Sequence, residues 1–306
     1  AVWGMISFGF SGTIAHAVLS HATCDAVACF RPRPPALTYE RRCCPWRDEL
    51  HPFAQRQLAS ADGACVMFRS AAAGALHALV ADHVVLSRVI FPGAGYLEMA
   101  RAACNAMVSS MSVVFFLAVL VLDDHALQID CVLSEGGFHV SSGVISAAGG
   151  RQDGTLNCSG EKLAAGHLYE HIDCAHLRGS SCARAADVSA LYDDYASHGL
   201  AYGPVYRSLL QAWDGGHAQS CARLRHVSGQ EAVQVHPANL DGSLQLGAIL
   251  RSVNRETQLP FAIDDTSLGS LVDPAVWAVS SELGADASRV CLGENDGQAA
   301  ALLDGF

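Results

Sequence analysis

The sequence predicts an α+β fold in which an antiparallel sheet wraps a single helix, and does so twice. Three observations carry this. Most of the chain beyond residue 51 reads as short strands between turn signals, helical patterns are few, and two segments repeat a strand-like run that feeds a proline-opened helix. The 306 residues, 51% hydrophobic and 16% charged, hold enough apolar material for one large domain or two ordinary ones.

Residues 1–22 are apolar and punctuated by Gly and Ser. They lack a basic stretch leading into an apolar core, so no secretory signal is predicted, and without an initial Met they read as a piece of a longer polypeptide. Residues 23–50 read as a linker, because 31–48 (RPRPPALTYERRCCPWRD) carries four prolines and mostly basic charges. The first repeated unit is DHVVLSRVIFPGAGYLEMARAA, residues 82–103. HVVLSRVIF reads as a strand opening on His83. Pro92 stands where a helix start tolerates it, and Leu97, Ala100, Cys104 and Met107 fall on one apolar stripe. Val113–Leu122 (VVFFLAVLVL) is the most apolar run; a membrane span needs about 20 such residues, so it reads as a buried strand. Ala126–Leu133, Phe138–Ile145, Ala218–Leu224 and Ala299–Leu303 read as strands, with turns at Glu135-Gly136-Gly137 and Asp214-Gly215-Gly216. Ala148–Gly160 and Leu177–Arg184 read as soft connections.

The second unit is EAVQVHPANLDGSLQLGA, residues 231–248. Val233 and Val235 alternate with polar neighbours as in a half-buried strand, and Pro237 opens a helix on which Leu240, Leu244, Ala248 and Arg251 follow helical spacing. The fourth residue after the proline is Tyr96 in one copy and Asp241 in the other. Two such units place His83 and Asp241 on facing halves.

A net charge of −11 argues against a nucleic-acid partner, which calls for clustered Lys and Arg. The twelve cysteines are scattered, adjacent only at Cys43-Cys44, and read as reduced, mostly buried thiols rather than a disulfide framework. His167, His171, Cys174 and His176 put two histidines at helical spacing beside a thiol, but in no common zinc order, so no metal is predicted. The basic stretch from Arg31 to Arg47 reads as solvated or docked on a neighbouring domain.

Five ordered motifs carry a resemblance. His83 with Pro92 nine residues on, followed by GAGYLEMA, resembles the H-x3-G-x4-P-G-x-G-Y-L-E-x-A signature of polyketide synthase dehydratase domains. His51-Pro52-Phe53 resembles that family's HPLL-like opening, LAYGPVYRSL (200–209) its YGP-aromatic motif, HPANLDGSLQ (236–245) its P-x3-D-x3-Q motif, and LPFAID (259–264) its LPF segment. Residues 7–19, SFGFSGTIAHAVL, resemble the C-terminal tail of a ketosynthase, with Ile14 where that family has Asn. The resemblance implies a ketosynthase remnant at 1–22 and a linker at 23–50. It implies a double hotdog beyond: an N-terminal hotdog at 51–165, a connection at 166–182 and a C-terminal hotdog at 183–306. It implies loss of water from a 3-hydroxyacyl thioester carried on the phosphopantetheine of an acyl carrier protein, with no cofactor on this domain. It also implies neighbouring synthase domains, a homodimer, and a cytoplasmic location with no membrane partner.

In that reading His83 is the base and Asp241 the acid. Histidine's reference pKa of about 6.5 makes a neutral base available near pH 7. Burial raises a carboxyl pKa and opposes the helix dipole, which favours the anion. Gln245, one turn beyond Asp241, is placed to orient its carboxyl, and Tyr202 to line the site. The small residues Pro92, Gly93 and Gly95, with Tyr96, open a helix whose free amides suit a developing enolate. Gly203-Pro204 reads as a turn. The family's Gly four residues after the histidine is Ser87 here, and the larger side chain is expected to narrow the substrate's approach. Two other readings share the sequence: a silent structural or carrier-docking module, or the same fold performing double-bond isomerisation or cyclisation.

Overall fold

The computed structural model describes residues 2–8, 14–20, 51–58, 65–104, 109–124, 126–145, 151–162, 168, 170–216, 219–227, 232–250, 261–273, 275–284 and 287–306. The predicted linker at 23–50, Cys43-Cys44, Met107, His167, Arg251 and Leu259-Pro260 lie outside the described residues. The chain separates into two compact units, Ala1–Asp48 and Glu49–Phe306. In the first, β1 (Val2–Phe8) pairs antiparallel with β2 (Ile14–Ser20), Val2 opposite Ser20.

The second unit opens with β3 (Arg56–Leu58), β4 (Val66–Ala71) and the short helix α1 (Ala75–Val80). The two-residue strands β5 (Val84–Val85) and β6 (Arg88–Val89) come next, then α2 (Gly93–Cys104). Strands β7 (Ser109–Phe116), β8 (Leu127–Ser134), β9 (Gly137–Ile145) and β10 (Arg151–Lys162) complete this half. The other half contains α3 (Cys174–Gly179), β11 (Arg184–Ala186), α4 (Val188–Ser197), β12 (Leu209–Asp214), β13 (Gln219–Arg225), α5 (Pro237–Gln245) and α6 (Gly247–Leu250). It ends with β14 (Ala262–Leu268), β15 (Ala275–Glu282), β16 (Ser288–Glu294) and β17 (Ala299–Asp304).

One sheet of 13 strands joins the halves where β7 pairs antiparallel with β14, Ala262 opposite Phe115 and Leu268 opposite Ser109. Read outward from that seam, one half runs β7, β10, β9, β8, β4, β3 and the other β14, β17, β16, β15, β13, β12, β11. In each, the strand after the proline-opened helix stands at the seam, the last strand of the half lies beside it, and the last strand of this sheet before the helix, β4 in one half and β13 in the other, lies toward the far edge. The faint echo between the two proline-opened segments is thus a repeated topology, the double hotdog.

Each half closes on its helix. The sequence suggested one apolar stripe on α2, but its buried residues include Ala94, Tyr96, Leu97, Glu98, Met99, Ala100 and Arg101, so the helix is buried on every face, as befits one clasped by a sheet. Fully burying a side chain such as Leu97 or Met99 contributes roughly 1.5–3 kcal/mol. The two charges in that interior are paired. Glu98 accepts from Arg101 Nε and Nη2, both at 2.7 Å, from His51 Nε2 at 3.2 Å and from the Gln234 backbone N–H at 3.1 Å. One carboxylate therefore ties the chain start at His51 and the approach to α5 onto α2.

That carboxylate explains a correction. The alternation at Val233 and Val235 is not a strand, since the Gln234 amide goes to Glu98 and its carbonyl accepts from Leu271. Val113–Leu122 is also not one strand. β7 ends at Phe116, and Leu117 and Val119 beyond it are exposed. HVVLSRVIF is a hairpin in which Val85 pairs with Arg88 across a turn at Leu86 and Ser87. The helical spacing expected from Leu240 to Arg251 is broken, with α5 ending at Gln245 and α6 starting at Gly247. Among the described residues the cysteines form no disulfide. No helix among them is long and apolar enough to cross a membrane.

The turn carries backbone strain. Leu86 has φ 48° and Ser87 φ 63°, the left-handed region that a two-residue hairpin demands and that glycine fills without a Cβ penalty. Ser87 is exposed at the hairpin tip and does not line the cavity described below, so the expectation that it narrows the substrate's approach is corrected. Glycine suits this position because of its dihedral angle. Ser87→Gly is expected to stabilise the domain by about 1 kcal/mol, seen as a rise of a few degrees in Tm, with turnover essentially unchanged.

Candidate active site

His83 stands at the entry to the β5–β6 hairpin, and the hairpin fixes its ring. The His83 backbone carbonyl accepts from Ile90 N–H at 3.1 Å, and His83 Nδ1 lies 2.7 Å from the Ile90 carbonyl oxygen. A carbonyl only accepts, so Nδ1 carries the proton in the neutral ring and Nε2 carries the lone pair. The rings of Tyr202 and Tyr206 pack against the imidazole, with centroids 5.7 and 5.2 Å away.

Asp241 is on α5, whose N-cap His236 accepts from Ala238 N–H through Nδ1 at 3.1 Å. Burial pushes the His236 imidazole down to about 4, with Glu98 pulling upward and His226 downward, so it caps the helix as the neutral ring. Asp241 Oδ2 accepts from Gln245 Nε2 at 2.9 Å, and Oδ1 lies 3.8 Å from His83 Nε2. That gap exceeds a hydrogen bond, so the base and the acid face one space without closing it. Burial pushes the Asp241 carboxyl above its usual range, while His83 and the Gln245 donor pull it back.

The space is a cavity of about 1080 Å³. Its apolar wall includes Phe116, Leu120, Leu191, Leu244 and Ile249, and His83, Asp241, Gln245, Tyr202, Pro92, Gly93 and Tyr96 line it as well. Most of the predicted site residues therefore meet in one place. Gly95 is the exception. It is absent from the wall, and a Cβ added there would sit 2.8 Å from Phe91 Cε1, so its small size serves helix packing. Tyr96 contributes its ring, 4.7 Å from Phe91, while its hydroxyl is buried without a hydrogen-bond partner among the described residues. Burial, and then the charge of Asp241, push the Tyr202 phenol well up, so it stays protonated.

The two halves meet along the YGP segment. Leu86 N–H donates to the Gly199 carbonyl at 2.7 Å, Ala201 N–H to Val84 at 2.8 Å and Gly203 N–H to Asp82 at 2.7 Å. The Asp82 carboxylate accepts from Val205 N–H at 2.7 Å. Gly203 is more than a turn residue, because a Cβ there would lie 2.5 Å from Asp82 Cγ.

The comparisons with known proteins agree with this arrangement. The family described as polyketide synthase dehydratase domain matches residues 51–146, and that described as polyketide synthase dehydratase N-terminal domain matches residues 177–306. The chain belongs to the polyketide synthase dehydratase family. Polyketide synthase ThaG of Burkholderia thailandensis is 29% identical over 240 residues, covering 74% of this chain and 4% of that protein. The spectinabilin polyketide synthase system protein NorB of Streptomyces orinoci is 27% identical over 286 residues, 86% of this chain and 13% of that protein. The chain thus spans a small part of these relatives, which are multidomain synthases. Among solved structures, the dehydratase domain from the CurJ module of curacin polyketide synthase superposes with TM-score 0.73 at 20% identity, covering 84% of this chain and 96% of that one. A trans-AT dehydratase domain from Brevibacillus brevis gives 0.71 at 20%, covering 84% and 97%.

Of the four candidate ligands in the histidine-rich stretch, the described residues are His171, Cys174 and His176. His171 lies outside any helix, bridged to Gln298, with Nε2 3.1 Å from the Asp296 carbonyl. Among the described residues no group of three or more candidate ligands could hold a metal ion. Sequence reasoning missed Asp82, Tyr206 and Tyr192. The first was hidden by its adjacency to His83. The last sits on α4, whose N-cap Asp187 accepts from Ala190 N–H at 3.0 Å. That cap preceding an apolar helical run was a readable signal.

Gly203→Ala is expected to cost about 1–3 kcal/mol by overpacking and to lower turnover, because the added methyl displaces the Asp82 side chain from Val205 N–H, next to His83 in the chain. Thermal denaturation together with a turnover assay on the folded variant checks both effects.

Proposed function

We propose that this chain eliminates water from a 3-hydroxyacyl thioester to give a 2-enoyl thioester. The observation that carries the reading is the meeting of His83 Nε2 and Asp241 Oδ1, 3.8 Å apart, in the wall of one largely apolar cavity. Nε2 has the free lone pair and removes the proton alpha to the thioester carbonyl. Asp241, kept protonated to higher pH by burial, gives its proton to the departing hydroxyl. Both groups work from one side of the substrate. The proton taken by His83 returns to Asp241 through the shared site or through water, which resets the pair.

Pro92 and Gly93 line the cavity where α2 begins, and the free amides of a helix start suit the oxygen that gains charge. The apolar wall accepts the acyl chain. In this reading the acyl group arrives on the phosphopantetheine of an acyl carrier protein, and the two proton transfers call for no cofactor on this chain. Neighbouring synthase domains, self-association and a cytoplasmic location belong to the same proposal. Ser87, at the exposed hairpin tip, gives no support to a silent module.

The test is incubation with a short 3-hydroxyacyl pantetheine thioester followed by mass analysis, since only dehydration removes the mass of one water. His83→Ala and Asp241→Asn, checked for folding, are each expected to lower the rate by about 100-fold or more. Unchanged turnover in either would overturn the mechanism.

The acid must be protonated to act, so kcat/KM falls at high pH as Asp241 loses its proton. Because burial raises Asp241, the high-pH limb is expected above the ordinary Asp value of about 3.9. A profile measured on the same thioester checks it.

A further inference from the structure

We propose that Tyr192, on α4, is a positioning residue that locks Gln245 in the single amide orientation presenting its NH2 group to Asp241. The inference rests on the dehydratase reading and concerns how the acid is held. Tyr192 and Gln245 are both buried, at 5% and 3% exposure. The Leu209 backbone N–H donates to the Tyr192 hydroxyl at 3.1 Å. With a lone pair so engaged, the phenol has its one proton to give, and Gln245 Oε1 lies 3.0 Å away to receive it. Oε1 is therefore the acceptor end of the amide. Nε2 then points the other way, donating to Asp241 Oδ2 at 2.9 Å and to the Tyr206 carbonyl at 3.1 Å. The Tyr206 carbonyl only accepts, so the NH2 end of the amide is fixed on that side, and the Tyr192 hydroxyl holds the oxygen end.

Without the Tyr192 hydroxyl the lock opens. Gln245 Oε1 is left buried and unpaired, a state that costs free energy. The Tyr206 carbonyl still calls for a donor, so the amide keeps its sense but loses the contact that holds its far end. Its NH2 is then held less well on Asp241 Oδ2, the anion loses part of its donor, and Asp241 keeps its proton to higher pH. The titratable groups facing Asp241 are His83 from the β5–β6 hairpin, Tyr192 and Tyr195 from α4, and Tyr202 and Tyr206 from the segment before β12. The nearest cations to Tyr192 are Arg207, whose guanidinium lies 5.5 Å from its ring centroid, and Arg225. Tyr195 is the natural comparison. Its hydroxyl donates to the backbone carbonyl of Gln245 at 2.7 Å and leaves the amide untouched.

The experiment is the pH profile of kcat/KM for water loss from the short 3-hydroxyacyl pantetheine thioester, with folding checked by circular dichroism. It compares wild type, Tyr192→Phe, Gln245→Leu, the double variant and Tyr195→Phe. Tyr192→Phe is expected to move the high-pH limb upward by about one pH unit, the size of one lost hydrogen bond to the anion. The double variant should match Gln245→Leu alone, because Tyr192 acts only through that amide, and Tyr195→Phe should leave the limb in place. A limb unmoved in folded Tyr192→Phe, or two single shifts that add in the double variant, would overturn the proposal while leaving the dehydratase reading intact. A wild type that loses no water would remove the reading itself. If Tyr192→Phe does not fold, Tyr192→His, which keeps a ring donor, is expected to hold the wild-type limb, and a displaced limb there counts against the lock.

Discussion

The 2.7 Å contact from His83 Nδ1 to the Ile90 carbonyl decides which nitrogen meets the cavity. Ile90 reaches that position only because the chain reverses at Leu86 and Ser87, two non-glycine residues held at positive φ. Backbone strain of this kind costs about 1–3 kcal/mol per residue and persists where the surroundings over-determine it. Here the surroundings are the YGP segment, which takes hydrogen bonds on the same hairpin at Val84, Leu86 and Asp82. The reactive nitrogen, the strained turn and the junction between halves are one mechanical unit. A change that moves the hairpin backbone reaches the others, whereas one that only relieves strain at the tip leaves them in place.

Asp241 poses the complementary problem. A buried carboxyl is easily kept neutral, and one that never releases its proton is useless as an acid. Burial raises it, and two partners limit the rise: the His83 imidazole from one half and the Gln245 amide from its own helix. The balance sets a proton that is held but transferable, and it belongs to the pair rather than to either group. The Gln245 amide is the finest adjustment in that balance, since the better its NH2 is held on Asp241 Oδ2, the more it favours the anion.

Much of this was legible in the sequence. His83, Asp241 and Gln245 lie in short motifs whose chemistry is local, and the strand-like runs between turn signals fall close to the observed bounds of β8, β9, β13 and β17. What escaped depends on partners far along the chain. The hairpin was hidden because its turn lacks glycine or asparagine. Val233 and Val235 imitate a strand because Glu98, 136 residues before Gln234, claims the intervening amide. The role of Gly203 needs Asp82 beside it, and Tyr192 meets Gln245 across 53 residues. Periodicity reports which way a side chain faces; it does not report what is waiting there.

The repeated topology sharpens the asymmetry of the chemistry. Both long helices begin at a proline, both are clasped by the same order of strands, and the fourth residue after each proline points into the interior. On α5 that residue is Asp241, supplied with a donor one turn later and an imidazole across the gap. On α2 it is Tyr96, wedged between Phe91 and Phe116, with a hydroxyl that has no hydrogen-bond partner among the described residues. One turn beyond Tyr96 stands Ala100, which has nothing to donate, where α5 has Gln245. The scaffold thus offers two equivalent helix positions and equips one. The other has been given over to packing, and its aromatic cluster forms part of the apolar wall against which the equipped position works.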